Sequence, residues 1–189
     1  MLANLVWRSK EYPSLENCMA MITSAGSEIS SVIIVVAEHK IFSIEYNLKI
    51  NSHWETEQVE IKSTIGGFVK SFIFQSDGKG NWQQNGHVLE QFKGCIDVDI
   101  PLTPFTNTLP IKRLKLQRGQ EQLIKVVYLD LLSNEIKPVT QKYLRLSDLE
   151  YKYENVPNDF EAVITVDESG FVVDYPTLFE RIARKDNGM

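Results

Sequence analysis

The sequence predicts a mainly β protein built on a strongly curved antiparallel sheet. Apolar and polar residues alternate along much of the chain, most regularly from His39 to Asn51. This period of two is typical of a strand with one buried and one wet face. Gly66-Gly67 and Asn85-Gly86 separate such stretches, and glycine tolerates the positive φ that tight hairpins require. We therefore expect one domain over residues 1–189, with roughly ten strands that curl towards a barrel or half-barrel and so protect their edges.

Strand patterns continue through the rest of the chain. They cover residues 57–62, 68–74, 123–131, 139–146, 151–153, 160–166 and 171–174. In residues 68–74 three phenylalanines and Lys70 fall on one face, because side chains two apart in a strand point the same way. The aromatic-rich strands are expected to line the concave side of the sheet.

Helix is expected in only two places. Tyr175-Pro176-Thr177 precedes four apolar residues spaced for one helical face, namely Leu178, Phe179, Ile182 and Ala183. Proline is tolerated in the first turn of a helix, so this pattern predicts a C-terminal helix. A short helical turn is expected near residues 104–109.

Composition and charge exclude several classes of protein. The chain has 189 residues and a formal net charge of −5, whereas a general nucleic-acid binder needs clustered Lys and Arg to neutralise phosphates. We therefore expect no nucleic-acid partner. The longest apolar run, Val32 to Ala37, is far shorter than the ~20 residues of a transmembrane helix.

Cysteine usage and the N-terminus point to a cytoplasmic protein. Cys18 and Cys95 lie far apart in the sequence and fit no zinc-ligand spacing, although a single disulfide between them stays open. The first eight residues lack the basic segment and long apolar stretch of a signal peptide. We expect reduced thiols, no metal and no cofactor.

Sequence templates of common enzymes are not matched. The histidines His39, His53 and His87 stand apart and fit no paired-ligand spacing. The chain has no nucleophile elbow, phosphate-binding loop or dinucleotide-binding glycine motif. We therefore expect no catalytic residues.

One dense constellation, Gly94 to Leu116, stands out from the strand patterns. It contains Asp97 and Asp99, whose carboxylates leave the same face of a strand. Carboxylates that close repel each other unless a cation or hydrogen-bond donors satisfy them, and Arg113 is a candidate partner. Three interpretations stay open: an Asp/Arg network that braces a loop, recognition of ligand hydroxyls, and the paired acid and base of a glycosidase.

Trp7, Trp54 and Trp82 have two possible roles. A tryptophan in a strand is most often a core residue. One that is exposed in a concave sheet would suit stacking on a sugar ring or contact with an acyl chain.

Several motifs carry a resemblance to a known family. They are Gly80-Asn81-Trp82, Gly94-Cys95-Ile96-Asp97-Val98-Asp99, Pro104-Phe105-Thr106-Asn107-Thr108-Leu109-Pro110-Ile111, Arg113-Leu114, Gln141-Lys142-Tyr143, Tyr151-Lys152-Tyr153-Glu154, Asp167, Gly170 and Val172 to Pro176. Through them most of the chain resembles the Putative glycolipid-binding family, a group of bacterial proteins. The resemblance implies a half-open β-barrel similar to that of bacterial lipoprotein carriers, with a hydrophobic concavity partly closed by helix. It implies no catalytic residues.

These observations predict a non-enzymatic binding protein for an amphipathic molecule such as a glycolipid. Its apolar part would lie along the concave face. The expected ligand-binding residues are Asp97, Asp99, Asn107, Arg113, Trp82 and Tyr143. Two alternatives are a glycoside- or ester-hydrolysing enzyme that uses Asp97 and Asp99, and a protein-interaction module with no small ligand.

Overall fold

A computed structural model describes residues 1–187, whose fifteen strands lie in one sheet. The strands are β1 (Leu2–Ser9), β2 (Ser14–Ile22), β3 (Gly26–Ala37), β4 (Lys40–Asn51), β5 (Thr56–Ile65), β6 (Phe68–Ser76), β7 (Trp82–Gln84), β8 (His87–Val88), β9 (Asp97–Asp99), β10 (Glu121–Asp130), β11 (Glu135–Arg145), β12 (Glu150–Val156), β13 (Glu161–Val166), β14 (Val172–Tyr175) and β15 (Phe179–Asn187). The expected mainly β, strongly curved and half-open sheet is confirmed.

Two antiparallel meanders, β1 to β8 and β10 to β15, make up most of the sheet, and β9 pairs with β10 in parallel. The strand order is β8-β7-β6-β5-β4-β3-β2-β1-β15-β14-β13-β12-β11-β10-β9. Successive strands from β1 to β8 therefore lead to one edge of the sheet. The chain then crosses to the other edge at β9, and the strands from β10 to β15 lead back until β15 pairs with β1. Within residues 1–187 no pairing joins β8 to β9, so the curved sheet stays open.

Little helix accompanies the sheet. A 3₁₀ turn covers Glu90–Phe92, and a second one at Phe105–Asn107 leads into the helix α1 (Thr108–Leu114). The helical turn expected near residues 104–109 is confirmed. Within residues 1–187 no helix has the length and apolar character needed to cross a membrane.

The predicted C-terminal helix is wrong, because residues 179–187 form strand β15. β15 pairs with β1 along the whole of β1, and the register shifts opposite Val6 and Trp7, where Ile182 is skipped. Such a bulge breaks the strict alternation of buried and exposed side chains, so the local pattern imitates a helical face. Pairing satisfies the backbone of β1 on that side, which a helix could not do.

The core follows the inner face of the curved sheet. Along β3, alternate residues are buried, including Ile29, Ile33 and Val35, while the residues between them are exposed. The continuous apolar run of the sequence at residues 32–37 therefore supplies both faces of one strand. A second group of buried residues gathers around Tyr143 and Tyr153, on β11 and β12.

Gly80 fixes the point where the chain starts to cross the sheet. The backbone N–H of Gly94 donates to the carbonyl of Gly80 at 2.9 Å. Gly80 has φ +87°, and a Cβ placed on it would lie 2.8 Å from Gly94 Cα. Beside this contact, the Trp82 indole donates to the carbonyl of Cys95 at 2.7 Å.

We expect Gly80→Ala to lower the free energy of unfolding by about 2 kcal/mol more than the control Gly86→Ala. Both positions have positive φ, but a Cβ on Gly86 meets nothing within 4 Å. The difference therefore isolates the collision with Gly94. Urea unfolding measures both values, and equal losses would contradict the close approach.

Candidate functional site

The segment Gly94–Leu116, here the inner segment, packs against the inner face of the sheet. Every residue from 102 to 111 is buried. Val98, Ile100, Phe105 and Leu109 belong to the same core cluster as the buried residues of β1 to β5. The inner segment therefore fills the opening of the curved sheet.

An ion pair between Asp97 and Arg113 joins β9 to the end of α1. Arg113 donates from Nε to Asp97 Oδ1 at 3.1 Å and from Nη2 to Oδ2 at 2.5 Å. The Asp97 side chain is fully buried and that of Arg113 is 14% exposed. Burial raises the pKa of Asp97, and the Arg113 guanidinium opposes this rise. Such bidentate pairs are among the strongest hydrogen-bonded contacts in proteins, so Asp97 braces the inner segment.

A second buried carboxyl, Glu16 on β2, anchors the inner segment through hydroxyl donors. Its Oε1 accepts hydrogen bonds from Ser31 Oγ at 2.7 Å, Tyr46 Oη at 2.7 Å and Thr103 Oγ1 at 2.9 Å. Its Oε2 has no partner among the residues that the structure describes. Burial raises the pKa of Glu16 to about 7. The sequence contains a signal for the burial of Glu16, because Glu16 lies on the same strand face as Cys18 and Ala20.

A cavity of about 520 Å³ opens beside the inner segment. Its polar lining includes Asp99, Thr103, Asn107 and Gln141, and its aromatic lining is Tyr128, Tyr153, Phe160, Tyr175 and Phe179. Tyr153, Phe160, Tyr175 and Phe179 contact one another with ring centroids 6.1 to 6.3 Å apart. This separation is typical of stabilising aromatic pairs. The cavity thus joins a few polar groups to an aromatic wall.

Asp99 is the carboxylate of the inner segment that lines this cavity, and Glu11, Glu135 and Asp159 line it from other parts of the chain. Its Oδ1 accepts a hydrogen bond from Thr106 Oγ1 at 3.2 Å, and its Oδ2 accepts one from Gln141 Nε2 at 2.6 Å. Burial raises the pKa of Asp99, and these two donors oppose the rise. An ionised carboxylate accepts about four hydrogen bonds, so Asp99 keeps capacity for further donors.

Two further polar groups line the same cavity. Asn107 Oδ1 accepts a hydrogen bond from Tyr143 Oη at 2.8 Å, which orients the amide. The hydroxyl of Tyr175 forms no hydrogen bond with any described residue, and burial raises its pKa. Both groups are able to bond a hydroxylated molecule.

The structure separates the six expected ligand-binding residues. Asp99 and Asn107 line the cavity, and Tyr143 reaches it through Asn107. Arg113 lines a different groove, of about 510 Å³, beside β10. Asp97 is buried behind Arg113, and Trp82 is a core residue that is 1% exposed.

Sequence reasoning missed most of the cavity's aromatic wall. Tyr153 and Phe160 come from β12 and the turn after it, and Tyr175 and Phe179 border the turn between β14 and β15. The sequence pattern places Phe179 on a helix that does not form, and it gives Tyr175 no role beyond a family motif. Gln141, the donor to Asp99, was named only as part of a family motif.

The geometry gives no support to paired catalysis by Asp97 and Asp99. Only Asp99 lines the cavity, because Asp97 is enclosed with Arg113. Within residues 1–187 no three His, Cys, Asp or Glu side chains gather as a metal site would require. Cys18 and Cys95 are both buried and unbridged.

Comparisons with known proteins identify relatives over nearly the whole chain. A sequence profile of the family described as Putative glycolipid-binding matches residues 4–181. The crystal structure of a DUF1089 family protein from Pseudomonas aeruginosa has 33% sequence identity and a TM-score of 0.82, over 88% of this chain and 92% of that chain. No curated protein matches the sequence. The matched range includes all residues that line the cavity.

We expect Asp97→Asn and Asp99→Asn to differ in their effect on stability. Asp97→Asn leaves a mostly buried guanidinium without its counter-charge, which costs about 3 kcal/mol. Asp99→Asn keeps an acceptor oxygen in a partly exposed place and costs about 1 kcal/mol. Urea unfolding of both variants measures the difference, and a larger loss for Asp99→Asn would contradict the bracing role of Asp97.

We also expect Glu16 to make the protein less stable as the pH rises. Because its folded pKa of about 7 exceeds the ordinary value of 4.5, the folded state binds the proton more tightly than the unfolded state. The free energy of unfolding should therefore fall between pH 4.5 and pH 7, by about 3 kcal/mol in total.

Glu16→Gln should remove this component of the pH dependence. Urea unfolding of both proteins from about pH 4 to pH 8.5 measures it. The comparison uses the change in the free energy of unfolding with pH within each protein. A packing change that lowers the stability of the variant equally at every pH therefore does not affect the result. Parallel stability curves would show that Glu16 titrates normally.

Proposed function

The chain belongs to the Putative glycolipid-binding family, and we propose that it is a non-enzymatic binding protein for an amphipathic molecule with a hydroxylated head. The observation that carries this proposal is the cavity of about 520 Å³, in which the Asp99 carboxylate lies among aromatic side chains. Ligand sites in proteins are commonly of this size, mostly apolar, with a few convergent polar groups.

The polar lining suits a head that both donates and accepts hydrogen bonds. Asp99 accepts from hydroxyls, while the amides of Asn107 and Gln141 offer both donors and acceptors. The Tyr175 hydroxyl adds a group that does both. The lining also holds the carboxylates of Glu11, Glu135 and Asp159, which disfavour an anionic head. Sugar hydroxyls therefore match this mixture better than a negatively charged head does.

The aromatic wall suits the less polar parts of the same ligand. Tyr153 and Phe160 present ring surface to the cavity, and Val156 and Leu178 line it as well. Aromatic faces pack on the C–H faces of sugar rings and on the first carbons of an acyl chain. We propose that the head enters near Asp99 and that the chain leaves along this wall.

The expected ligand-binding residues then have different roles. Asp99 and Asn107 contact the ligand, and Tyr143 orients Asn107. Asp97 and Arg113 hold β9 in place, and Trp82 packs the core. For the two buried, unbridged cysteines we propose the cytoplasm as the compartment, since thiols persist there.

Native mass spectrometry of the freshly purified protein tests the proposal, together with melting temperatures in the presence of glycolipids. We expect a co-purified lipid or a raised melting temperature. Asp99→Asn should weaken binding about tenfold, since it removes a hydrogen bond to a charged acceptor.

Tyr151→Phe provides a matched control for Tyr175→Phe. Tyr151 lies on β12 and is buried outside the cavity, so only Tyr175→Phe should weaken binding, about fivefold. A protein that carries no lipid, and whose melting temperature no glycolipid changes, would contradict the proposal. So would equal effects of the two tyrosine variants.

A further inference from the structure

Strand β6 has a free edge over seven residues. On one side it pairs with β5 from Phe68 to Gln75. On the other side only Gln75 and Ser76 have a partner, in β7. Among residues 1–187 no strand pairs with that side of residues 68–74. An unpaired edge offers a row of backbone N–H and C=O groups to another strand.

Exposed apolar side chains accompany this edge. Phe68 is 80% exposed, Val69 is 61% exposed and Ile73 is 41% exposed. The one charged side chain, Lys70, is directed to its own chain, where Nζ donates to Asn134 Oδ1 at 3.0 Å. The edge therefore lacks most of the features that keep strands from pairing with other chains.

The sequence of the free edge is complementary to itself. Residues 68–74 read Phe-Val-Lys-Ser-Phe-Ile-Phe. If two copies pair antiparallel with Ser71 opposite Ser71, Phe68 lies opposite Phe74, Val69 opposite Ile73, and Lys70 opposite Phe72. Cross-strand pairs of aromatic and of β-branched residues stabilise antiparallel sheets.

The neighbouring structure selects this register over its alternatives. A centre at Phe72 would require a partner for Gln75 and Ser76, whose edge β7 already occupies. A centre at Lys70 would place two lysines directly opposite each other, which destabilises the pair. Only a centre at Ser71 uses all seven free residues.

We propose that the free edge of β6 pairs with the same edge of a second copy of this chain, antiparallel, with Ser71 on the two-fold axis. The contact is isologous, so it closes after two copies and does not continue into a fibre. Seven residues form a small interface, and we expect a dissociation constant in the micromolar range, about 10⁻⁶ to 10⁻⁴ M.

Two charge variants test both the dimer and its register. In Val69→Lys/Ile73→Lys, the two substituted positions of one copy face those of the other, lysine against lysine, so dimerisation should weaken at least about tenfold. In Val69→Glu/Ile73→Lys, the new glutamate of each copy faces the new lysine of the other, so dimerisation should return. The variants differ only at residue 69. Any ion pair between the lysine introduced at position 73 and Glu60, its neighbour on β5, is common to both.

Analytical ultracentrifugation across a concentration series gives the association state, with one chain weighing 21.7 kDa. We expect the unaltered protein to approach twice this mass at high micromolar concentration. Val36→Lys, at an exposed position of β3, is the control and should dimerise like the unaltered protein. A monomer at all concentrations would overturn the proposal, as would a dimer that is insensitive to the double-lysine variant.

A disulfide test applies even if the charge variants fold poorly. Ser71→Cys should form an intermolecular disulfide under mild oxidation, because residues directly opposite in an antiparallel pair lie within disulfide reach. Ser30→Cys, on the exposed face of central strand β3, is the matched control. Cys18 and Cys95 are fully buried and do not compete. Equal crosslinking of the two variants would overturn the proposed register.

Discussion

The fold depends on the need to satisfy a buried carboxylate on the last strand of an open sheet. Asp97 is fully buried on β9, and an isolated charge there would cost several kcal/mol. Arg113 supplies the counter-charge from the last turn of α1, so α1 must return to β9. That return positions the parallel pair of β9 and β10. Asp99, two residues further along β9, is thereby carried into the cavity.

Three anchors hold the inner segment between the two meanders, whose strands β1 and β15 pair with each other. The Asp97–Arg113 pair holds α1 against β9, and β9 pairs with β10. The hydrogen bond from Thr103 to Glu16 ties it to β2, and thus to the other meander. The contact of Gly94 with Gly80 fixes its start. Their chemistry differs. The Arg113 guanidinium favours the charged form of Asp97, whereas burial raises the pKa of Glu16 to about 7 although its hydroxyl partners lower it.

Local pattern was enough to predict the fold class, but not the partners of particular residues. The period of two follows from the pleat of a strand, and Asn85-Gly86 needs no distant contact to form a turn. The partners of Asp97 and Asp99 are instead Arg113 and Gln141, which lie 16 and 42 positions further along the chain. Two carboxylates on one strand face therefore differ in role: Asp97 forms a buried ion pair and Asp99 lines the cavity. The region after Tyr175 resembled a helix because the bulge that breaks its alternation is set by pairing with β1, more than 170 residues earlier.

A half-open sheet leaves two kinds of unsatisfied surface, and this chain separates them. The inner cavity is lined by Glu11, by the inner segment and by residues from β10 to β15, and offers hydroxyls, amides and several carboxylates. The free edge belongs to β6, in the other meander, and offers backbone groups flanked mostly by apolar side chains. The first surface suits a small hydroxylated molecule and the second suits only another strand. Because no residue of β6 lines the cavity, pairing at the edge leaves the cavity's chemistry unchanged.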